Sequence, residues 1–446
     1  MRRAVWNLWF AWQARNNSIK AIHPEQPEVP LSWVKFLGRH LFTVCDPEFI
    51  HQVLVTHHRK YVKGQMFDRL FRPAVGESVF TAEGESWAYR RKMIAPAFHP
   101  RAIQALEERM QAQIDAAIAG LKPKADVQAE SGIEVESGRE AEIAEMAEMD
   151  VAQWAPELAL SIALDGLFSG GAGDQTAYLA HHMRRGVELF GRLSIPDALN
   201  LPGWIPRPAK RTAQRHARGV DAVVYDLIDQ RRAEAKVQDQ PDLLDLILGA
   251  RDGETGQGLS REHIRNEVFT FFAAGHDTSS NAIQWALYAL ADRPELQAEA
   301  AQDPDLLDRV IQEVLRLYPT APLMLREAVE EDAINDVKVP VGALVLIPLY
   351  HFHRSPLYWE RPTEFHPDHF LPDQVASRPR HAYLPFGLGP RVCPGKMMAM
   401  QEIRMAVGAL VRAYEFQRID PHPIEPMGRT TLRPSHDMRL ALKPRR

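Results

Sequence analysis

One segment sets the scale of the fold: an unbroken helical pattern that begins after Ser260 and ends at about Ala291, before Pro294. Ser260 is a good N-cap residue and proline cannot continue a helix, so both ends are marked in the sequence. At 1.5 Å per residue, a helix of roughly 30 residues is about 45 Å long and would cross a whole domain. The fold is therefore expected to be dominated by helices, with this one passing through it.

The rest of the chain shows further helical segments with only short strand-like runs between them. The predicted helices lie at about 151–168, 176–193, 211–233, 305–318 and 395–414, and the predicted strands at 41–45, 339–348, 430–433 and 438–442. The stretch 62–86 is predicted to be a long irregular loop because it contains Gly64, Pro73, Gly76 and Gly84. This order gives a mainly α fold with minor β structure, without the alternation of a doubly wound sheet.

No Gly/Ser linker and no repeat of fixed period divides the chain, so a single domain over 1–446 is predicted, with an N-terminal arm over 1–30. Residues 122–150 are acidic and poor in aromatic side chains, which predicts a solvated insertion or surface helix without chemistry. The net charge of −5 argues against nucleic acid as the main partner. The protein is expected to be a monomer.

The only cysteines are Cys45 and Cys393, which excludes a disulfide framework and an iron–sulfur cluster held by four thiolates. This usage predicts a cytoplasmic protein, since the cytosol is reducing. The N-terminal stretch 2–12 carries two arginines and three tryptophans, but it is too short for a membrane span, which takes roughly 20 residues. It is expected to pack on the protein, and a position on a membrane surface is the alternative.

Cys393 stands in a loop of unusual composition, Phe-Gly-Leu-Gly-Pro-Arg-Val-Cys-Pro-Gly at 386–395, directly before the last long helix. A helix N-terminus presents unpaired backbone N–H groups and a positive dipole end, and both stabilise a thiolate and lower the pKa of a thiol. Glycines let the backbone approach a flat ligand closely, and Arg391 is placed to meet a negative group. These features fit a stabilised thiolate, although the usual role of a lone cysteine in a tight turn is a buried structural one.

This loop resembles the haem-binding signature of the cytochrome P450 family, Phe-x-x-Gly-x-Arg-x-Cys-x-Gly. The matching residues are Phe386, Gly389, Arg391, Cys393 and Gly395. The resemblance implies the fold of that family, with a long central helix over haem b and the cysteine loop before the last long helix. It also implies that Cys393 is the axial thiolate ligand of the haem iron, that Arg391 binds a haem propionate, and that Phe386, Gly387 and Gly395 contact the haem.

Glu313 and Arg316 lie three residues apart on the otherwise apolar helix predicted at 305–318. They share a face and are expected to be buried together, where each charge needs the other. In the family that the chain resembles, such a Glu-x-x-Arg pair locks the fold behind the haem. The resemblance implies a third ionic partner at 367–370, but His369 stands there in place of the family's arginine. Histidine lacks the forked guanidinium and its permanent charge, so this partnership stays open, and local stability could depend on pH.

The central helix contains the sequence Ala-Gly-His-Asp-Thr at 274–278, among apolar neighbours. Glycine, aspartate and threonine are poor helix formers, so a local opening of the helix at a functional site is predicted. The segment resembles the acid–alcohol pair of the family. The resemblance implies that Ala274 lies against the haem, that Thr278 hydrogen-bonds dioxygen, and that Asp277 relays the protons required for O–O cleavage. His276 is expected behind this pair or at the surface.

Trp87 and Arg91 lie four residues apart on a predicted helix and share a face. The resemblance implies that the indole N–H and the guanidinium both bind haem propionates. It implies the same role for Arg326, which would otherwise be taken for an ordinary surface arginine.

Together these motifs imply a haem-dependent monooxygenase that inserts one atom of dioxygen into a lipophilic small molecule, such as a fatty acid or a terpenoid. Haem b carries the chemistry, while the protein supplies the ligand, the proton path and the pocket. The chain has no Gly-x-Gly-x-x-Gly fingerprint, so electrons are expected from a separate ferredoxin or flavodoxin with its reductase. A docking face for that partner is expected near Cys393, at Arg90, Lys92, Lys396 and Arg404.

The substrate pocket is expected between the 62–86 segment and the central helix, with 196–208 as a lid or entry channel. Its predicted lining is Met66, Phe67, Leu70, Phe71, Phe272, Ala273, Leu323 and Met324. Two other functions are considered. A peroxide-driven peroxygenase would not need Asp277 and Thr278, because peroxide supplies both the oxygen and the electrons. A non-catalytic haem sensor would need a partner domain for its output.

Overall fold

The computed structural model describes residues 13, 16–121 except 24 and 37, 147–169, 175, 177–179, 181–182, 185–186, 205, 208–234 and 241–445 except 421. Its α-helices are Pro47–His51, Gly64–Val75, Gly84–Ile94, Pro100–Ala105, Glu107–Ala119, Val151–Leu167, Pro208–Glu234, Leu243–Gly249, Arg261–Ala291, Pro294–Gln302, Pro304–Leu317, Leu349–Phe352, Pro372–Ser377 and Lys396–Ala413. Its strands are β1 (Leu31–Phe36), β2 (Arg39–Val44), β3 (Tyr61–Val62), β4 (Ala147–Asp150), β5 (Met324–Ala328), β6 (Asp332–Ile334), β7 (Val337–Val339), β8 (Leu344–Ile347), β9 (Tyr414–Arg418), β10 (Pro426–Gly428), β11 (Leu432–Pro434) and β12 (Arg439–Pro444). The predicted mainly α fold with minor β structure is confirmed.

The helix Arg261–Ala291, hereafter the central helix, has the predicted bounds. The Ser260 side chain accepts a hydrogen bond from the backbone N–H of His263, which caps the first turn. Large side chains such as Phe269 and Trp285 are buried on it. They pack against the helix Val151–Leu167 and the last long helix, Lys396–Ala413, so the central helix forms the middle of the largest hydrophobic core.

The strands form small sheets beside the helices. The largest has the order β1-β2-β8-β5-β3 and is antiparallel except between β2 and β8, while β4, β12 and β9 form a second sheet. β10 pairs with β11 and β6 pairs with β7 as separate hairpins. Strands lie close to each predicted position, although the predicted run 339–348 is divided between the end of β7 and β8.

Two predictions from local composition are wrong. The segment predicted as an irregular loop contains the helix Gly64–Val75, which continues through Pro73 although a proline inside a helix removes one backbone hydrogen bond. Ala74 and Val75, the residues after this proline, are buried in the core, and this packing favours the helix. Gly76 ends this helix with φ 63°, and a Cβ at this position would clash with the amide of Asn266. Residues 147–150 belong to strand β4 rather than to the acidic insertion, because Ala147 and Met149 alternate into the core.

Several predictions fall on residues outside the described part of the chain. These are the tryptophan-rich stretch of the N-terminal arm, most of the acidic insertion and most of the predicted helix 176–193 and lid 196–208. No described helix is long and apolar enough to cross a membrane.

Candidate functional site

A cavity of about 600 Å³ lies between the central helix and the loop that precedes the last long helix. Ten of the predicted site residues line it: Trp87, Arg91, Ala274, Thr278, Arg326, Phe386, Gly387, Arg391, Cys393 and Gly395. Asp277 does not line it, although it is adjacent to Thr278 in the sequence. Most of the motifs found separately along the chain therefore converge on one space. Besides Asp277, the Glu313–Arg316 pair and His369 do not line it.

The glycines of the cysteine loop shape the wall of this cavity. Gly387 and Gly389 have φ values of 77° and 72°, a region that side chains rarely adopt. A Cβ on Gly389 would clash with the carbonyl oxygen of Leu54. The backbone N–H of Cys393 donates to the carbonyl oxygen of Phe386 at 3.0 Å, which closes the loop. The loop thus presents the Cys393 thiol to the cavity, where it is exposed.

The electrostatic environment of Cys393 corrects one expectation. Burial inside the protein raises the pKa of this thiol, and the backbone N–H of Gly395 and the charge of Arg91 oppose that rise without offsetting it. The helix N-terminus therefore acts in the predicted direction but is outweighed by desolvation. A thiolate here would form when a metal binds, since a coordinated thiol loses its proton.

A cluster of cations also lines the cavity: Lys63, Arg91, Arg326 and Arg391, called here the cavity cations. Arg391 forms an ion pair with Glu83, donates to the carbonyl oxygen of Ala82 at 2.8 Å, and stacks on the Trp87 ring at 4.1 Å. Burial lowers the pKa of Arg391 to about 10 and also lowers the pKa of Arg326. Among the described residues, Glu83 is the one carboxylate in this cluster. The cluster therefore has an excess of positive charge and could bind an anionic group.

Sequence reasoning missed Lys63. Its ammonium group donates to the carbonyl oxygen of Phe80 and lies 4.8 Å and 4.6 Å from the ring centres of Phe67 and Phe80. Burial, followed by the charges of Arg326 and Arg391, lowers the pKa of Lys63 well below its ordinary value. A single lysine before a glycine carries no motif, so only the fold shows that it joins the arginines.

The central helix turns one face to the cavity. Thr270, Ala274 and Thr278 line it at intervals of four residues, and so do Phe271, Gly275 and Ser279. The helix is continuous here, so the predicted local opening is absent. The Thr278 hydroxyl instead donates to the carbonyl oxygen of Ala274 at 2.5 Å. Helical phase also corrects the predicted pocket: Phe271 and Ala274 line it, whereas Phe272 and Ala273 do not.

Asp277 points to a different neighbour. Its carboxylate accepts hydrogen bonds from Thr431 Oγ1 and Arg433 Nη2, each at 2.6 Å, on or beside strand β11. His276 is buried and stacks with the Phe272 ring at 5.7 Å, so its alternative place at the surface is excluded. Of the pair predicted from the sequence, only Thr278 faces the cavity.

A second residue missed by sequence reasoning is Glu402, on the last long helix. It is buried, lines the cavity, and accepts a hydrogen bond from the Ser279 hydroxyl at 2.7 Å. Burial raises the pKa of Glu402 to about 8, and only the Ser279 hydrogen bond opposes this rise. Its place on the apolar face of the helix, next to Ile403, was the available clue.

The residues Glu313, Arg316 and His369, called here the structural triad, lie outside the cavity lining. Arg316 binds both carboxylate oxygens of Glu313 at 2.7 Å, and both side chains are fully buried. His369 Nδ1 lies 3.1 Å from a Glu313 oxygen, and its Nε2 lies 2.6 Å from the carbonyl oxygen of Glu360. Histidine therefore does reach the third position of the triad. Both ring nitrogens face acceptors, and only the doubly protonated ring satisfies both.

The predicted docking face needs one correction. Arg90 is buried and lies 3.4 Å from Glu77 and 3.7 Å from Glu267, so it cannot meet a partner. Lys92 and Arg404 are half exposed but paired, with Asp252 and Asp308 respectively. Lys396, in contrast, is exposed beside the exposed apolar side chain of Met397.

Comparisons with known proteins agree with this geometry. The sequence profile described as Cytochrome P450 matches residues 3–440. Cytochrome P450 132 of Mycobacterium bovis is 28% identical over 437 residues, which cover 90% of this chain and 88% of the relative. Cyclooctat-9-en-7-ol 5-monooxygenase of Streptomyces melanosporofaciens is 27% identical over 397 residues, covering 85% and 80%. The crystal structure of the cytochrome P450DA heme domain superposes with a TM-score of 0.78 at 23% identity, covering 99% of this chain and 93% of that one.

The chain belongs to the cytochrome P450 family of haem-dependent monooxygenases. The family's cofactor is haem, and the residues present fit that group. The cavity offers a thiol on its wall, a loop in which Gly387 and Gly389 place no side chain, and four cations that share one carboxylate, Glu83, among the described residues. This excess of positive charge suits the negative charge of the haem propionates.

Proposed function

We propose that the protein oxidises a lipophilic small molecule, with Cys393 as the axial haem ligand and the cavity cations as propionate partners. The observation that carries the proposal is the shared cavity. It is lined by both Cys393 and Thr278, and most of the rest of its lining is apolar. The predicted pocket residues Met66, Phe67, Leu70, Phe71, Leu323 and Met324 all belong to that lining.

Each part of the chain has a distinct task. Bound haem would supply oxygen activation and hold the reducing equivalents. The Thr278 hydroxyl, now turned to the Ala274 carbonyl, is the group that can rotate and donate a hydrogen bond into the cavity. The aromatic side chains of Phe67, Phe71 and Phe80 form a contiguous group that excludes water and holds an apolar substrate.

A fatty-acid-like or terpenoid-like substrate fits this lining. The relative whose name describes a cyclooctat-9-en-7-ol 5-monooxygenase acts on a cyclic alcohol, and its 27% identity supports a similar class of substrate here. Thr278 favours the use of dioxygen over peroxide, because a peroxide-driven enzyme has no need of that hydroxyl.

The test of the haem ligand is an absorption spectrum of the reduced protein under carbon monoxide. Wild type should show the strongly red-shifted Soret band of a thiolate ligand, and Cys393→Ser should lose it. Cys45→Ser is the matched control, since Cys45 is buried in another part of the core and should leave the band unchanged. A histidine-type band in wild type would refute the proposal.

Electrons would reach the haem from a separate ferredoxin or flavodoxin with its reductase. The exposed pair of Lys396 and Met397, at the start of the helix that follows Cys393, offers one charge and one apolar contact for that partner. Lys396→Glu should slow reduction by a ferredoxin about tenfold at low salt, and the exposed Lys338→Glu should not. Equal rates in both variants would exclude this docking face.

A further inference from the structure

The carboxylate of Asp277 is held by the hairpin β10–β11. Thr431 Oγ1 donates to Oδ2 and Arg433 Nη2 donates to Oδ1, both at 2.6 Å, and Arg433 Nε also donates to Thr431 Oγ1 at 3.2 Å. Only 13% of the Asp277 side chain is exposed, so little water reaches it. Both carboxylate oxygens of Asp277 therefore accept hydrogen bonds from the hairpin, and the acid next to Thr278 is engaged away from the cavity.

The same hairpin also touches the cavity. Arg429 and Thr430, which form its turn, belong to the cavity lining. Gly428 opposite Leu432 is the last pair of the ladder before this turn. A molecule that fills the cavity therefore contacts the residues directly next to Thr431, and the hairpin joins the cavity to Asp277.

The contacts that anchor the backbone of the hairpin do not involve the Arg433 side chain. Asn17 bonds to the backbone of Pro426 and Gly428, at 3.1 Å and 2.8 Å. Trp285 Nε1 donates to the carbonyl oxygen of Leu432 at 3.1 Å. These contacts hold β10 and the first residue of β11 by their backbone, whereas the hold on Asp277 is made by two side chains. A two-stranded ribbon is marginally stable alone, so displacement of its turn is readily passed to Thr431 and Arg433.

We propose that Thr431 and Arg433 are positioning residues for Asp277, and that a molecule filling the cavity displaces the turn Arg429–Thr430 and loosens their hold. Asp277 then becomes available to relay protons to Thr278 only when the cavity is filled. This inference rests on the proposed function, because it takes Asp277 as the proton relay. It adds the group that controls the relay and the element that senses the substrate.

The coupling is reciprocal. If filling the cavity weakens the Asp277–Arg433 ion pair, part of the binding free energy of the ligand is used for that change. Removing Arg433 removes this cost, so a large ligand should bind more tightly to the variant. A ligand too small to reach the hairpin should bind equally to both proteins. A purely structural role for Arg433 would not separate the two ligands.

The experiment is an absorption titration of the haem-loaded protein with two haem ligands, clotrimazole and imidazole. Clotrimazole is large enough to fill much of the cavity, and imidazole is not. In Arg433→Gln the Kd for clotrimazole should fall about threefold to tenfold, as expected for loss of a partly buried ion pair, with imidazole unchanged. Arg433→Lys should restore most of the wild-type difference. Arg439→Gln, which breaks the surface pair between Arg439 on β12 and Glu148 on β4, is the matched control.

Equal changes for both ligands, or no change for either, would overturn the inference. So would a failure of clotrimazole to bind either protein, because the cavity would then not admit a molecule that reaches the hairpin. A different result would refute the proposed function, because that proposal requires the thiolate spectrum in wild type and its loss in Cys393→Ser. A normal spectrum with no ligand-specific effect of Arg433→Gln would refute only the role of the hairpin.

Discussion

Two groups of charged side chains differ in how completely their charges are compensated. In the structural triad, Arg316 contacts both oxygens of Glu313 and also donates to the carbonyl oxygens of His353, Pro362 and Glu364. Burial opposes ionisation of Glu313, yet its hydrogen bonds from Arg316 and His369 hold its pKa below the ordinary value. The cavity cations have one carboxylate, Glu83, among four positive groups of the described chain.

The difference shows how to separate structure from site. A buried charge whose hydrogen bonds are all made inside the protein stabilises one conformation and has nothing left to offer a ligand. A buried charge without a partner costs folding free energy, and it persists in a native protein where a ligand supplies the missing partner. By this argument the structural triad holds the fold, and the cavity cations are the groups that we propose as partners of the haem propionates.

The largest effect should come from breaking the structural triad. Glu313→Ala leaves Arg316 buried without its carboxylate, so the free energy of unfolding should fall by about 3–5 kcal/mol. Asp308→Ala is the matched control, because it removes an exposed partner of Arg404 and should cost at most about 1 kcal/mol. Urea unfolding followed by circular dichroism measures both. Similar losses in the two variants would contradict the assignment of the triad as structural.

The cavity cations should respond in the opposite way. Lys63→Met removes a desolvated charge, so haem-free protein should gain about 1–2 kcal/mol at pH 7. The same change removes a propionate partner, so haem should leave the loaded protein about tenfold faster, as measured by transfer to apomyoglobin. The exposed Lys338→Met should change neither quantity. Loss of stability in haem-free Lys63→Met would mean that Lys63 belongs with the structural residues.

Most of the site residues could be predicted from motifs with fixed spacing. The cysteine loop, the Glu–Arg pair and the central helix were visible because their chemistry depends on neighbours in sequence, such as a glycine next to a ligand. Lys63 and Arg433 could not be found in this way. Each contacts a partner that is distant in sequence and lies near it only in the folded chain. Neither residue belongs to a sequence motif.

The predictions of the fold were wrong where the conformation of a segment was inferred from its amino-acid composition alone. Gly64 and Pro73 indicated a loop, but burial of Ala74 and Val75 in the core favours a helix that continues through the proline, so Gly64–Val75 is helical. Asp277 was predicted beside Thr278 in the cavity, but successive helical residues point about 100° apart. Only the position of β11 decided which neighbour Asp277 would meet. The single domain over 1–446 and the monomeric state stay predictions.

The smallest predicted effect concerns Glu402, a buried acid with a hydrogen bond but no cation. Its pKa of about 8 in the folded protein exceeds the ordinary value of 4.5, so between these two pH values the folded state keeps a proton that the unfolded chain releases. Stability should therefore fall as pH rises through this window. Glu402→Gln cannot lose a proton and should unfold like wild type at pH 4.5, but should be more stable than wild type at pH 8. Glu415→Gln, an exposed position on β9, is the control. Melting temperatures of Glu402→Gln that follow those of wild type across this range would contradict a raised pKa of Glu402.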